Sequence, residues 1–331
     1  MDDNTCGLGW NDFYPNISEE LEEILCKKCQ PIIDAEASFS SGPIYHYTSP
    51  EGLLGILKSE GPRLWFTRFD SLNDYSEREH FYDCLREYCE RKVRDGKMDS
   101  SFSELISNID PVEVELFAYD QKTNERHDTH IVNYRTEHCE VYLCCFSSNS
   151  DSLAMWNYYS KSNRYEGYNI GFVELERACG KEIQLGKTLK IRRVFYQDDE
   201  KQQLFDSFIL PLNDYFPKAS KEEQFEIRMM VREFVETYQF LFKHSSFLHE
   251  NEIRAILKIP YSCKDKKCFR NSNGYIVPYV EIPVPKDSVV EITIAPMLQK
   301  EIAQKNIREL LQTYQYSEQI YVTCSDIPVR F

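Results

Sequence analysis

The residues Ile44-Tyr45-His46-Tyr47-Thr48 set an imidazole inside a short aromatic run, and Ser49-Pro50-Glu51-Gly52 then signals a turn and a helix start. In a strand, His46 and Thr48 share one face. A histidine beside a hydroxyl can hold the vicinal hydroxyls of a ribose or the amide of a base. A half-buried histidine bonded to backbone would show the same residues. A second polar element follows Arg63-Leu64-Trp65-Phe66-Thr67-Arg68-Phe69, at Asn73-Asp74-Tyr75-Ser76-Glu77. It reads either as a helix cap answered by Glu77 or as polar groups delivered to a cleft. The third is Glu250-Asn251-Glu252, which would put two carboxylates on one face of an extended segment, with Arg254 continuing that face. Adjacent acids repel unless each has a partner or a task. Arg254 would neutralise one in a structural ion pair. Alternatively, a carboxylate stabilises a developing oxocarbenium ion, as in glycosyl transfer. Trp156 and Tyr159, three apart on one helical segment, either cap a pocket or pack in the core.

The elements that must position these groups follow from periodicity. An amphipathic helix is expected over 15–29, capped by Ser18. Strand 44–48 leads into helix 50–58, strand 63–68 and a helix over 75–92. Residues 94–130 are polar, with weaker helical signals, and read as a surface insertion. The run 141–146 is apolar on both faces, as in a central strand. Helix 153–159, strands near 168–173 and 189–196, and a helical block over 199–243 come next. Strands at 253–257, 275–280 and 289–294, a helix over 298–312 and a strand at 319–324 complete the chain. Strands interrupted by helical blocks without a βαβ rhythm predict an α+β fold. The expected organisation is an N-terminal helical extension over 1–40 and a single α+β domain over 41–331. Helical insertions are expected at about 76–130 and 199–248.

The 331 residues suffice to bury a core, and 42% hydrophobic with 28% charged residues is ordinary for a globular protein. The aromatic share of 14% suits ring-lined clefts as well as a core. A formal charge of −15 disfavours non-specific binding to nucleic acid or anionic membranes. No apolar run approaches a membrane span, and Met1-Asp2-Asp3-Asn4-Thr5 lacks an apolar signal core, so a cytoplasmic location is expected. The twelve cysteines are then expected as thiols. Cys26 with Cys29 and Cys263 with Cys268 have spacings a zinc site would accept, but nothing in the sequence brings the pairs together, and no metal is assigned. The absence of GxGxxG, Walker, HExxH and GxSxG motifs removes the usual dehydrogenase, kinase, zincin and hydrolase readings.

The chain resembles the bacterial family catalogued as domain of unknown function 2971. The likeness rests on Tyr45-His46-Tyr47-Thr48 with Gly52 and Ile56, Leu64-Trp65, Asn73-Asp74 with Glu77, and Cys145-Phe146-Ser147. It continues through Trp156 with Tyr159, Gly167 with Ile170-Gly171-Phe172, Glu250 to Arg254, and Ile327-Pro328-Val329-Arg330. More distantly, His46-Tyr47-Thr48, Leu64-Trp65-Phe66-Thr67 and Glu250-x-Glu252 are similar to ADP-ribosyltransferases of the histidine-tyrosine-glutamate type. That resemblance implies a mixed, mostly antiparallel central sheet and NAD as substrate. His46 would hold an NAD ribose, and Tyr75 or Tyr82 would stack on nicotinamide. Glu252 would be the catalytic carboxylate. Tyr47, Thr48, Trp65, Asn73, Trp156, Tyr159, Glu250 and Arg254 would line the nucleotide site. The implied activity is transfer of ADP-ribose to a macromolecule or to water, as in a toxin or phage-defence effector. Two other readings stay open: a metal-dependent nuclease or phosphoesterase using His46, Asp74 and Glu77, and a non-enzymatic nucleotide- or peptide-binding module.

Overall fold

The computed structural model describes residue 10 and residues 14–31, 42–72, 76–109, 114–119, 133–159, 165–176, 188–260, 267–272 and 274–329. Its centre is the long strand β4, Asn133–Ser147. On one edge of β4, residues Cys139 to Ser147 pair antiparallel with β7, Glu252–Pro260, which pairs in turn with β6, Thr188–Arg193. Its N-terminal half pairs with β3, Val114–Tyr119. The opposite edge of β4 is shared by two strands that splay apart. β1, Ile44–Thr48, meets it only at Tyr45↔Ser147, and β2, Arg63–Arg68, only at Thr67↔Leu143 and Arg68↔Tyr142.

Beyond β1 lie β5 (Tyr168–Phe172), β10 (Val289–Ile294) and β11 (Tyr321–Cys324); beyond β2 lie β9 (Tyr275–Pro283) and β8 (Cys268–Ser272). Among the described strands, only β10 and β11 run parallel to each other. The fold is therefore α+β with a mixed, mostly antiparallel sheet. The sheet is forked, and the fork falls between β1 and β2.

Helices cover both faces. On one face lie α1 (Glu19–Ile24, continuing as a π turn over Leu25–Cys29), α3 (Ser76–Arg94), α4 (Ser100–Ser107), α6 (Asp198–Tyr215) and α7 (Lys221–Tyr238). Their apolar stripes bury Leu21, Phe81, Phe102, Phe205 and Phe234 in one core with Val141, Leu143 and Ile256 of the sheet. On the other face, α2 (Pro50–Ile56) and α8 (Lys300–Thr313) pack on Leu64, Phe66, Phe146 and Ile292. Local signals start these helices. Ser49 caps α2 with Pro50 at its first turn, and Ser220 and Glu223 form a capping box on α7. The short α5, Leu153–Tyr159, lies against β1. Among the described residues no helix is long and apolar enough to cross a membrane.

Two expectations are corrected. Residues 94–130 are more than a polar surface insertion: α4 buries Phe102 and Ile106, four apart on one helical face, and Val114–Tyr119 is a strand of the β3–β4 hairpin. Nor is Glu250 on an extended segment. It ends a 3-10 turn, Ser245–Glu250, and Asn251 then takes a left-handed backbone with φ 44° before β7 begins.

Candidate active-site cleft

Where β1 and β2 part, a cavity of about 590 Å³ opens over β4. The row Tyr45–Ser147–Glu252 runs straight across β1, β4 and β7, so these three side chains share one face of the sheet. Cys145 and Arg254, the next pair but one along β4 and β7, share it too. His46, one residue on from Tyr45, belongs to the opposite face by the pleat. It reaches the cavity because the β1–β4 ladder stops there. Its Nδ1 lies 3.0 Å from the Cys145 carbonyl oxygen, which only accepts, so Nδ1 carries the proton and Nε2 is left as an acceptor in the neutral ring. Burial lowers the His46 pKa, against the help of that carbonyl, and the nearby positive charge of Arg270 lowers it further.

The far wall of the cleft is a compact ion cluster. Arg254 donates from Nε to Glu252 Oε1 at 2.9 Å and from Nη2 to Glu252 Oε2 at 3.0 Å, a two-point fork. Its Nη1 donates to the Phe240 carbonyl at 2.6 Å. Lys243 Nζ donates to Glu250 Oε2 at 2.7 Å and to Glu252 Oε2 at 3.2 Å. Glu250, Glu252, Arg254 and Lys243 are 7%, 6%, 3% and 8% exposed, so this cluster is deep rather than a surface pairing. Burial works to raise the Glu252 pKa, but Arg254, Lys243 and their hydrogen bonds prevail and hold it at about 2. Glu250 goes the other way: burial raises its pKa, and the neighbouring Glu252 charge adds to that, with Lys243 opposing. The Glu252 backbone N–H donates to Tyr196 Oη at 2.9 Å.

Of the residues expected at the site, His46, Tyr47, Thr48, Trp65, Tyr159, Glu250, Glu252 and Arg254 all line the cavity. Trp156 does not. It is buried edge-on against Tyr47, with ring centroids 4.7 Å apart, and its Nε1 donates to Asp151 at 2.7 Å, so it supports β1 from behind. Asn73, Asp74 and Tyr75 lie outside the described residues, as does Cys263, and only the backbone of Glu77 is described. Tyr82, the other candidate for the stacking tyrosine, bonds Gln239 at 3.1 Å and packs against the helical core, away from the cleft. Cys29 is buried beside α6, donating to the Ser207 carbonyl, while Cys268 sits on β8. Among the described residues no group of three or more His, Cys, Asp or Glu side chains could hold a metal.

Sequence reasoning missed Lys243, Arg270, Thr67 and Cys145, which also line the cleft. Lys243 carried a signal: it ends the apolar run Phe240-Leu241-Phe242, where a cation needs a buried partner.

Fold and site together define an α+β protein with a forked sheet and a charged, aromatic-lined cleft at the fork. Residues 155–255 match the family described as protein of unknown function DUF2971. That stretch runs from α5 to the start of β7 and contains Tyr159, Lys243, Glu250, Glu252 and Arg254 of the cleft. Neither the curated proteins nor the solved structures contain a match to the chain.

Proposed function

We propose that the cleft binds NAD and breaks the bond between nicotinamide and its ribose. The electron pair of the C1′–N bond goes to the pyridinium nitrogen, so nicotinamide leaves neutral and C1′ becomes an oxocarbenium ion. Water, or a nucleophile of a macromolecular acceptor, forms the new bond to C1′ and gives up one proton. Transfer to a macromolecule would suit a toxin or phage-defence effector.

The observation that carries this reading is that one cavity is lined by both the imidazole of β1 and the carboxylate pair where β7 begins. His46 Nε2 is an acceptor for a ribose hydroxyl. The rings of Trp65 and Tyr159 offer stacking surfaces for the two heterocycles. The two acids divide the remaining work. A carboxylate has about four lone-pair sites. At Glu252 the Arg254 fork, Lys243 and the Cys145 thiol fill them, leaving a fixed negative charge rather than a group that meets the sugar. Glu250 Oε1 takes no hydrogen bond from a described residue, and its raised pKa suits it to accept the proton of the attacking nucleophile.

The test is nicotinamide release from NAD by the purified chain, with Glu250→Gln and Glu252→Gln. The expected result is release by the native chain and a loss of about 100-fold or more in Glu250→Gln. No release by the native chain, or equal release by both variants and the native chain, would sink the proposal. The filled acceptor sites of Glu252 favour one other reading, a binding module without turnover. Under it, NAD raises the melting temperature while remaining intact.

A further inference from the structure

The wall of the cleft opposite the ion cluster has two N–H groups with no acceptor among the described residues. Arg270 on β8 bonds Thr67 Oγ1 from Nη2 at 3.0 Å, but its buried Nε meets no acceptor among the described residues. The same holds for the buried Nε1 of Trp65. The pairs Thr67↔Tyr279, Cys268↔Tyr279 and Arg270↔Val277 put Trp65, Thr67 and Arg270 on one face of β2, β9 and β8. All three line the cavity.

Charge accounting points the same way. Lys243 and Arg254 are matched by Glu250 and Glu252 within hydrogen-bond distance. Arg270 has no carboxylate partner among the described residues, and Glu51, the remaining acid of the lining, makes no bond to it. Its charge is felt at His46, whose pKa it depresses. A half-buried guanidinium without a counter-ion is costly unless an anion arrives to match its fork.

We propose that Arg270, with the indole N–H of Trp65, forms an anion subsite that takes the phosphate groups of the ligand. Guanidinium and indole donors on a flat sheet face suit phosphate oxygens. The rings of the same cleft cover the rest of a nucleotide. For the identity of the ligand as NAD this rests on the function proposed above; the anion preference itself does not. In that setting the subsite holds the diphosphate, some distance along the cleft from the scissile bond.

The experiment titrates inorganic pyrophosphate into the native chain, Arg270→Gln and Arg270→Lys by calorimetry at low ionic strength, with NAD turnover measured on the same samples. The native chain is expected to bind pyrophosphate. Arg270→Gln is expected to bind it about 10- to 100-fold more weakly, with Arg270→Lys between the two. Folding stability of Arg270→Gln is expected to equal or exceed the native value, because an uncompensated charge is removed. Pyrophosphate that fails to bind the native chain, or that binds Arg270→Gln equally well, overturns the subsite. A marked loss of stability in Arg270→Gln also overturns it, since the side chain is then structural. The two proposals fail separately. NAD cleavage with an unchanged KM in Arg270→Gln sinks the subsite and leaves the function standing. Arg270-dependent pyrophosphate binding without NAD cleavage keeps the subsite and removes NAD as substrate.

Discussion

Replacing Glu252 by Gln removes the charge at the centre of the ion cluster while keeping its shape. The native carboxyl is held at about 2 rather than the ordinary 4.5. That gap, at about 1.36 kcal/mol per pH unit, corresponds to about 3 kcal/mol of folding stability from ionised Glu252 at neutral pH. The group is 6% exposed, so solvent screening takes little from this figure. The removal of one member of a buried pair gives a similar magnitude by a separate route, about 3–5 kcal/mol, because Arg254 and Lys243 would lose the carboxylate charge they bond.

The sign follows from proton binding. A depressed folded pKa means that the unfolded chain takes up its proton first as the solution is acidified. The contribution is complete above about pH 4.5 and is lost as pH falls towards 2. Glu252→Gln should therefore be about 3 kcal/mol less stable than the native chain in urea unfolding at pH 7. The difference should narrow steadily between pH 4.5 and 3. Glu250 acts with opposite sign: its pKa is raised, so its contribution favours the folded state at low pH and fades as pH rises above 4.5. It therefore cannot produce the predicted narrowing. A cost below about 1 kcal/mol at pH 7, or a difference constant from pH 7 to 3, would refute the argument.

Three further outcomes are expected. Glycine 52 sits where an added methyl would collide with Thr48 Oγ1, whereas a methyl on Gly55 would stand 3.7 Å from the Trp65 ring. Gly55→Ala should therefore stabilise α2 by about 0.5–1 kcal/mol, while Gly52→Ala should gain nothing in thermal unfolding and weaken NAD binding. His46 has a lowered pKa, so the folded state resists protonation and stability should decline as pH falls below 6.5; His46→Asn should flatten that decline in a urea series. Phe102 is fully buried among the helices, and Phe102→Ala should cost about 3–5 kcal/mol of unfolding free energy with the cleft left intact.

Much of the element order was legible because the signals are local. Ser18 and Ser49 sit where caps are expected, and runs such as Ile44–Thr48, Tyr168–Phe172 and Val289–Ile294 fall where β-branched and aromatic residues cluster, whereas the strands Val114–Tyr119 and Cys268–Ser272 were not foreseen. The site was legible only in part. Residue types flagged His46, Trp65, Glu250, Glu252 and Arg254, and the cavity gathers them, but which partner each takes depends on register between strands far apart in sequence. Lys243 enters the cluster from the chain after α7, and Arg270 comes from β8, which β2 and β9 separate from β4. Neither relation leaves a periodic trace. Trp156 and Tyr159 looked equivalent as a pair on one helix, yet only Tyr159 reaches the cavity, because α5 turns its other face to Tyr47. The run from 94 to 130 read as surface because its few apolar residues are outnumbered by polar ones; Phe102 and Ile106 suffice to anchor a two-turn helix.

The fork is what gives the cleft its chemistry. Had β1 continued pairing along β4, the ladder would have taken up the Cys145 carbonyl, and the pleat would have kept His46 on the α2 and α8 side, away from Glu252. Because the ladder ends after Tyr45↔Ser147, the imidazole replaces a backbone donor at that carbonyl and enters the gap from behind. On the other side of the gap, β2 turns away towards β9 and brings Arg270 with it. β1 thus delivers an acceptor nitrogen, β7 with the turn before it a fixed carboxylate cluster, and β8 a guanidinium without a carboxylate partner among the described residues, all to one space. Rigid placement of this sort lowers the ordering cost of binding. It also ties the site to the fold: a substitution that lengthened the β1–β4 ladder would stabilise the sheet and close the cleft.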